Sequence, residues 1–200
     1  MFNSIIQIII AMTLFISSGC TKQEQLVYLD TIDPTILIDL KYATKDNFVH
    51  QVIYSNNRAR LLPHVANALH RVQQELKPLG LGLKIWDAYR PLSAQKLMWQ
   101  ILPDSRYVAN PQQGGRHTRG TAVDLTIINL QTQKELQMPT NFDDFTEFAH
   151  RNYVTPDPQV NYNVKLLEQV MLKYGFVGYE MEWWHYDYQN WQECPVLIND

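Results

Sequence analysis

Over residues 121–127 the chain alternates with a period of two, Val123, Leu125 and Ile127 facing one way and Ala122, Asp124 and Thr126 the other. That is the pattern of a strand with one apolar side, and it turns the Asp124 carboxylate away from that side, into a cleft. Leu83 and Ile85 alternate with Lys84 and Trp86 as a second strand, which delivers Asp87 and Arg90 at its end. Between residues 63 and 76 the period changes. Val65, Leu69, Val72 and Leu76 recur at helical spacing behind Pro63, a residue suited to a first helical turn, and Pro78 and Gly80 mark the stop. Ser93 is placed to cap a short helix whose apolar side is Ala94, Leu97, Met98 and Ile101. Leu166, Leu167, Val170, Met171 and Tyr174 describe a last helix ended by Gly175. Residues 27–40 read as short extended pieces broken at Asp33-Pro34, with Ile36, Ile38 and Leu40 on one face of a half-buried strand.

Residues 176–179 and 183–188 read as two further strands. On the second, His185 shares a face with Trp183 and Asp187. Glu182, three residues before His185, falls on the opposite face of a straight strand, so bringing the two side chains to one point requires a bend or bulge near Trp183.

A chain of 200 residues, 46% hydrophobic and 18% charged, fits one globular domain. The net charge of -3 provides no basic stripe for a phosphate backbone, so no nucleic-acid partner is expected. No protein partner is predicted either. Residues 5–16 form an apolar run of about a dozen, shorter than the roughly 20 residues of a membrane-spanning helix and typical of the apolar core of a secretory signal. It leads into Ile16-Ser17-Ser18-Gly19-Cys20, which resembles a bacterial lipobox. Residues 1–19 are therefore expected to be a signal peptide and residues 20–200 the functional domain, with Cys20 lipidated and the protein anchored in the cell envelope. An ordinary cleaved signal is the alternative. With Cys20 taken by lipid, the second cysteine, Cys194, is left alone, which excludes a disulfide framework, and its place away from every histidine motif argues against a thiol nucleophile.

The chemistry concentrates in Gly115-Arg116-His117-Thr118-Arg119-Gly120-Thr121-Ala122-Val123-Asp124 and in the later Glu182-Trp183-Trp184-His185. His117, Asp124 and His185 supply two imidazoles and a carboxylate, a ligand set suited to one Zn²⁺ per chain with an open coordination position, and Glu182 is a further carboxylate beside them. These motifs resemble the zinc D-alanyl-D-alanine dipeptidases, the VanX-like members of a peptidase family that also holds D,D-carboxypeptidases. The family pattern is Ser-x-His-x-x-Gly-x-Ala-x-Asp followed by Glu-Trp-Trp-His, and Gly115 stands here where the family has serine. Residues 41–48, Asp87-Ala88-Tyr89-Arg90-Pro91 and Phe142-Asp143 are similar to its other landmarks, in the family's order.

The resemblance implies an α+β domain, a mostly antiparallel central sheet with helices on one side and a zinc cleft on the other. It implies Glu182 as the general base acting on water and Arg90 as the cation facing the charge that grows on the attacked carbonyl oxygen. Asp143 and Tyr42 take the positions of substrate-binding residues. Simpler roles compete: Arg90 pairing with Asp87, Tyr42 as packing, and Asn141, Asp143 or Asp144 capping a helix that carries Phe145, Phe148 and Ala149. The leading expectation is hydrolysis of D-Ala-D-Ala to two D-alanines. The alternatives are a D,D- or L,D-carboxypeptidase acting on peptidoglycan stem peptides, and a non-catalytic zinc-binding recognition module. Retention of Glu182 and Arg90 argues against the last.

Overall fold

The structure, a computed structural model, describes residues 25–198. The apolar run at residues 5–16 and Cys20 lie outside them. The centre is a five-stranded sheet in the order β2-β4-β5-β7-β6: β2 (Leu37–Ile38), β4 (Leu81–Asp87), β5 (Ala122–Asn129), β7 (His185–Tyr188) and β6 (Phe176–Gly178). Only β2 runs parallel to its neighbour; the other pairings are antiparallel. Outside this sheet, β1 (Val27–Tyr28) pairs with β3 (Arg60–Leu61). This is the α+β, mostly antiparallel architecture expected from the sequence.

One face of the sheet is the core. Leu83 and Ile85 of β4 and Val123, Leu125 and Ile127 of β5 are fully buried. Against them pack α2 (Pro63–Leu76), through Val65, Leu69, Val72 and Leu76, and α4 (Pro158–Lys173), through Leu167, Val170 and Met171. Full burial of each such side chain is worth about 1.5–3 kcal/mol, which makes this layer the principal stabilising element. The ends of both helices follow local chemistry. Pro63 opens α2, and a 3-10 turn at Lys77–Leu79 closes on Gly80, whose φ of 71° lies in the left-handed region that glycine adopts without a Cβ penalty. At the start of α4 the Asp157 carboxylate accepts from the Gln159 amide at 2.8 Å.

Four local expectations are corrected. Leu29–Ile32 form a single helical turn, α1, rather than extended chain, a segment too short to show a helical period. The helix α3 (Leu92–Ile101) begins one residue before Ser93, with Pro91 at its N-cap and no side-chain cap, and Ile101 on its supposed apolar side is exposed. The segment after Asp143 holds only a 3-10 turn at Glu147–Ala149, so no helix is there for Asp143 to cap. The last strand begins at His185, and Trp183 and Trp184 belong to the turn that precedes it.

Candidate active site

Three strands line up the site across the sheet. Asp87 pairs with Asp124, and Asp124 with His185. The first pairing depends on a bulge: the register shifts between Ile85 and Asp87, leaving Trp86 as the extra residue. Without the shift, Asp87 would point with Ile85 toward the core; with it, Asp87 shares the face of Asp124. The other histidine, His117, comes from a 3-10 turn (His117–Arg119) just before β5, closed by Gly120 at φ 68°. A Cβ there would lie 2.6 Å from Leu26, so glycine is required for space as well as conformation. The required bend at the second motif is a tight turn, with the His185 amide donating to the Glu182 carbonyl at 3.3 Å.

His117, Asp124 and His185 converge, their potential ligand atoms all within 4.8 Å of one another, and all three are buried. His117 Nε2 lies 3.3 Å from His185 Nδ1 and 3.4 Å from Asp124 Oδ2, while His185 Nδ1 lies 2.9 Å from Asp124 Oδ1. Four ligands about a zinc at about 2.0–2.2 Å stand roughly 3.3–3.6 Å apart, so two of the three separations already match. The remaining ring nitrogens are held from behind. His117 Nδ1 is 2.8 Å from the Ala88 carbonyl and His185 Nε2 is 2.9 Å from Asp187 Oδ1. A proton on each of those outer nitrogens leaves the inner nitrogens as lone-pair donors beside a carboxylate, a set that calls for a cation. Electrostatics agree. Burial works against a charged His185 ring, but Asp187 and Asp124 outweigh it and raise its pKa to about 10. Burial works against the Asp124 carboxylate too, yet His117 and His185 hold its pKa below the usual range.

Glu182 joins this group, with Oε2 3.8 Å from His185 Nδ1. Burial raises its proton affinity, His185 opposes the rise, and Asp124 and Asp143 add to it. Arg90 is buried on the other side. Its Nε and Nη2 donate to Asp87 Oδ2 at 2.9 and 2.7 Å, and Nη1 donates to Gln95 Oε1 at 3.0 Å. The pairing with Asp87 is therefore real, and it fixes Arg90 in the pocket rather than removing it, since Nη2 remains 3.9 Å from Asp124. Burial disfavours its charge, but Asp87, Tyr42 and Asp124 together lift its pKa above the ordinary arginine value. Tyr42 is buried, lies under the Arg90 guanidinium at 4.9 Å, and donates its hydroxyl to Asp143 Oδ1 at 2.8 Å. Asp143 also accepts from the Phe48 amide at 3.3 Å and sits at φ 59°, an uncommon conformation for a residue with a side chain.

All seven residues singled out from the described part of the chain thus border one narrow pocket of about 40 Å³. Gly115 borders it as well; a Cβ there would lie 3.3 Å from Ala109 and 3.6 Å from Gln95. Sequence reasoning gave no role to Asp187 or Gln95, whereas the Arg90 pairing with Asp87 was among its readings and is present. Asp187 was findable, two positions after His185 on the same strand face. Gln95 was not, because nothing in a helical pattern marks a glutamine that reaches an arginine five residues back.

The family model described as D-Ala-D-Ala dipeptidase, Peptidase_M15, matches residues 22–194. A protein of Escherichia coli (strain K12) named D-alanyl-D-alanine dipeptidase is 38% identical over 175 residues, 88% of this chain and 90% of the relative. Another of that name, from Enterococcus faecalis (strain ATCC 700802 / V583), is 33% identical over 180 residues, 80% and 89% of the two chains. Among solved structures, a vancomycin resistance D,D-pentapeptidase, VanY, in complex with Zn(II) aligns with a TM-score of 0.43 at 16% identity, covering 79% of this chain and 89% of that one. With the match spanning most of the chain and the site residues gathered as the motifs require, this protein belongs to the Peptidase_M15 family of D-Ala-D-Ala dipeptidases.

Proposed function

We propose that this protein is a zinc-dependent dipeptidase that hydrolyses D-Ala-D-Ala to two D-alanines. The observation that carries the reading is the convergence of His117, Asp124 and His185 beside the Glu182 carboxylate in a small buried pocket of a member of this family. His117, Asp124 and His185 would hold the zinc, which when bound would make water nucleophilic at neutral pH and polarise the scissile carbonyl. Glu182 takes the proton from the attacking water and passes it to the nitrogen of the leaving D-alanine as the C–N bond breaks. Its raised proton affinity suits it to hold that proton between the two events. Arg90, fixed by Asp87 and Gln95, faces the negative charge that develops on the carbonyl oxygen. Its rigid pairing means no reorganisation is needed as the charge appears. Asp143, aligned by the Tyr42 hydroxyl, accepts the substrate's free ammonium.

The test is Glu182→Gln. Turnover of D-Ala-D-Ala is expected to fall by about 10² to 10⁴, with zinc content equal to that of the unaltered protein; undiminished turnover would falsify the mechanism.

A second reading has its own observation. Asp143 borders both the pocket and a cleft of about 1160 Å³ that also touches Phe48, Trp86 and Phe142. A peptide extended beyond the amine end of the dipeptide would have room there, as a carboxypeptidase acting on stem peptides requires. Release of terminal D-alanine from a stem pentapeptide at a rate matching dipeptide turnover would favour this reading, and turnover of the dipeptide alone the first.

We infer further that the protein is exported and held at the envelope by lipid on Cys20, on the strength of the apolar run at residues 5–16 and the small residues before that cysteine.

A further inference from the structure

A straight strand cannot bring Glu182 and His185 to one point, and the turn that does so presents backbone carbonyls that need donors. Backbone amides reach the carbonyls of Tyr179, Glu182 and His185, and one side chain adds donors to these and serves that of Trp183. Arg151 Nη2 lies 3.2, 3.1 and 3.0 Å from the carbonyl oxygens of Glu182, Trp183 and His185, and Nε donates to the Tyr179 carbonyl at 3.2 Å. Nη1 donates to the Tyr186 hydroxyl at 2.9 Å, and the guanidinium carbon stands 4.4 Å above the Tyr186 ring. The Arg151 main chain joins in, its amide donating to the Glu180 carbonyl at 2.9 Å. Both ends of the β6–β7 connection therefore meet at one planar cation.

The neighbouring backbone is shaped to admit it. A Cβ on Gly178 would fall 2.1 Å from Arg151 Cζ and 2.3 Å from its Nε. Gly178 is not in the left-handed region, so its lack of a side chain serves space and not conformation. A guanidinium carries five N–H donors in a fixed plane, whereas a lysine ammonium concentrates three at one point and cannot span carbonyls spread over residues 179–185.

We propose that Arg151 is a positioning residue for the reaction: it holds the 182–185 turn so that the Glu182 carboxylate and the His185 ring face the same point. The inference rests on the dipeptidase reading above. It touches neither substrate nor metal, and acts through the placement of Glu182 relative to the bond being broken, where a shift of about 1 Å costs on the order of 10²-fold in rate.

Arg151→Lys and Gly178→Ala test it from opposite sides, the first removing the planar fork and the second displacing it while leaving the arginine. With the full-length zinc enzyme, both variants are expected to lose about 10²-fold in kcat with KM for D-Ala-D-Ala within about twofold of the unaltered protein. Amide hydrogen exchange should rise at residues 179–185 and stay unchanged in α2. Wild-type kcat in both variants overturns the proposal, as does exchange that rises equally in α2, which would mark a general stability effect. The unaltered enzyme's own turnover is measured alongside, so that absence of any dipeptidase activity is recognised as failure of the functional reading and not of this one.

Discussion

Asp143 has its carboxylate against the Tyr42 hydroxyl and the Phe48 amide, and its pKa is pushed up to about 7. Burial is the main cause; the two hydrogen bonds oppose it, and the nearby Asp124 charge adds to it. Below that pH the group is neutral and loses its attraction for an ammonium, while the amine of a dipeptide stays charged up to about pH 8. KM for D-Ala-D-Ala should therefore rise as pH falls through about 7, and the rise should be absent in Asp143→Asn; parallel KM profiles for the two proteins would sink the assignment. At this scale the candidate metal and acid–base groups were legible because zinc chemistry restricts residue types so strongly. His117, Asp124, Glu182 and His185 stand out as a pattern, and the structure brings them together. The residues that hold them in place were less visible. Gln95 works through geometry that any polar residue of the right reach could provide, so its residue type does not advertise it.

The long elements followed their periods. Over the 14 residues of α2 and the 8 of β5 each element repeats its own spacing, and the energy of one buried face sets the structure. Gln73 shows what the pattern omits. It lies on the buried side of α2, accepts from the Leu83 amide of β4 at 2.7 Å, and donates to Thr35 at 3.1 Å, tying helix, sheet and the N-terminal segment together. Gln73→Ala leaves the buried Leu83 N–H without its acceptor and should cost about 1–3 kcal/mol in urea unfolding. A loss under a few tenths would mean that another group takes over. Short elements escaped the reading for the opposite reason. Four residues at Leu29–Ile32 carry too little period to separate helix from strand. The 182–185 turn was required by geometry, but its form depends on Arg151, thirty-one positions away from Glu182.

For the whole molecule, the sheet sorts the chain into two sides. Apolar side chains of β4 and β5 meet α2 and α4 on one, and Asp124 and His185 face the pocket on the other. Among the described residues no helix is long and apolar enough to cross a membrane, and the proposed lipid on Cys20 is a separate question. A single chain-bearing anchor is readily tested: in cells expressing the full chain, the protein is expected in the membrane fraction, and Cys20→Ser should shift it to the soluble fraction or stall its processing. An unaltered distribution together with unaltered processing would refute lipidation there.

Which residues are candidates for the chemistry was determined by the sequence itself, because a divalent cation accepts few side chain types, and the apolar faces of the long elements were set by their periods. Where those residues meet was decided only in three dimensions. The bulge at Trp86, the left-handed glycine after His117 and the Arg151 clamp each rest on contacts between distant segments, and such contacts leave no periodic trace along the chain.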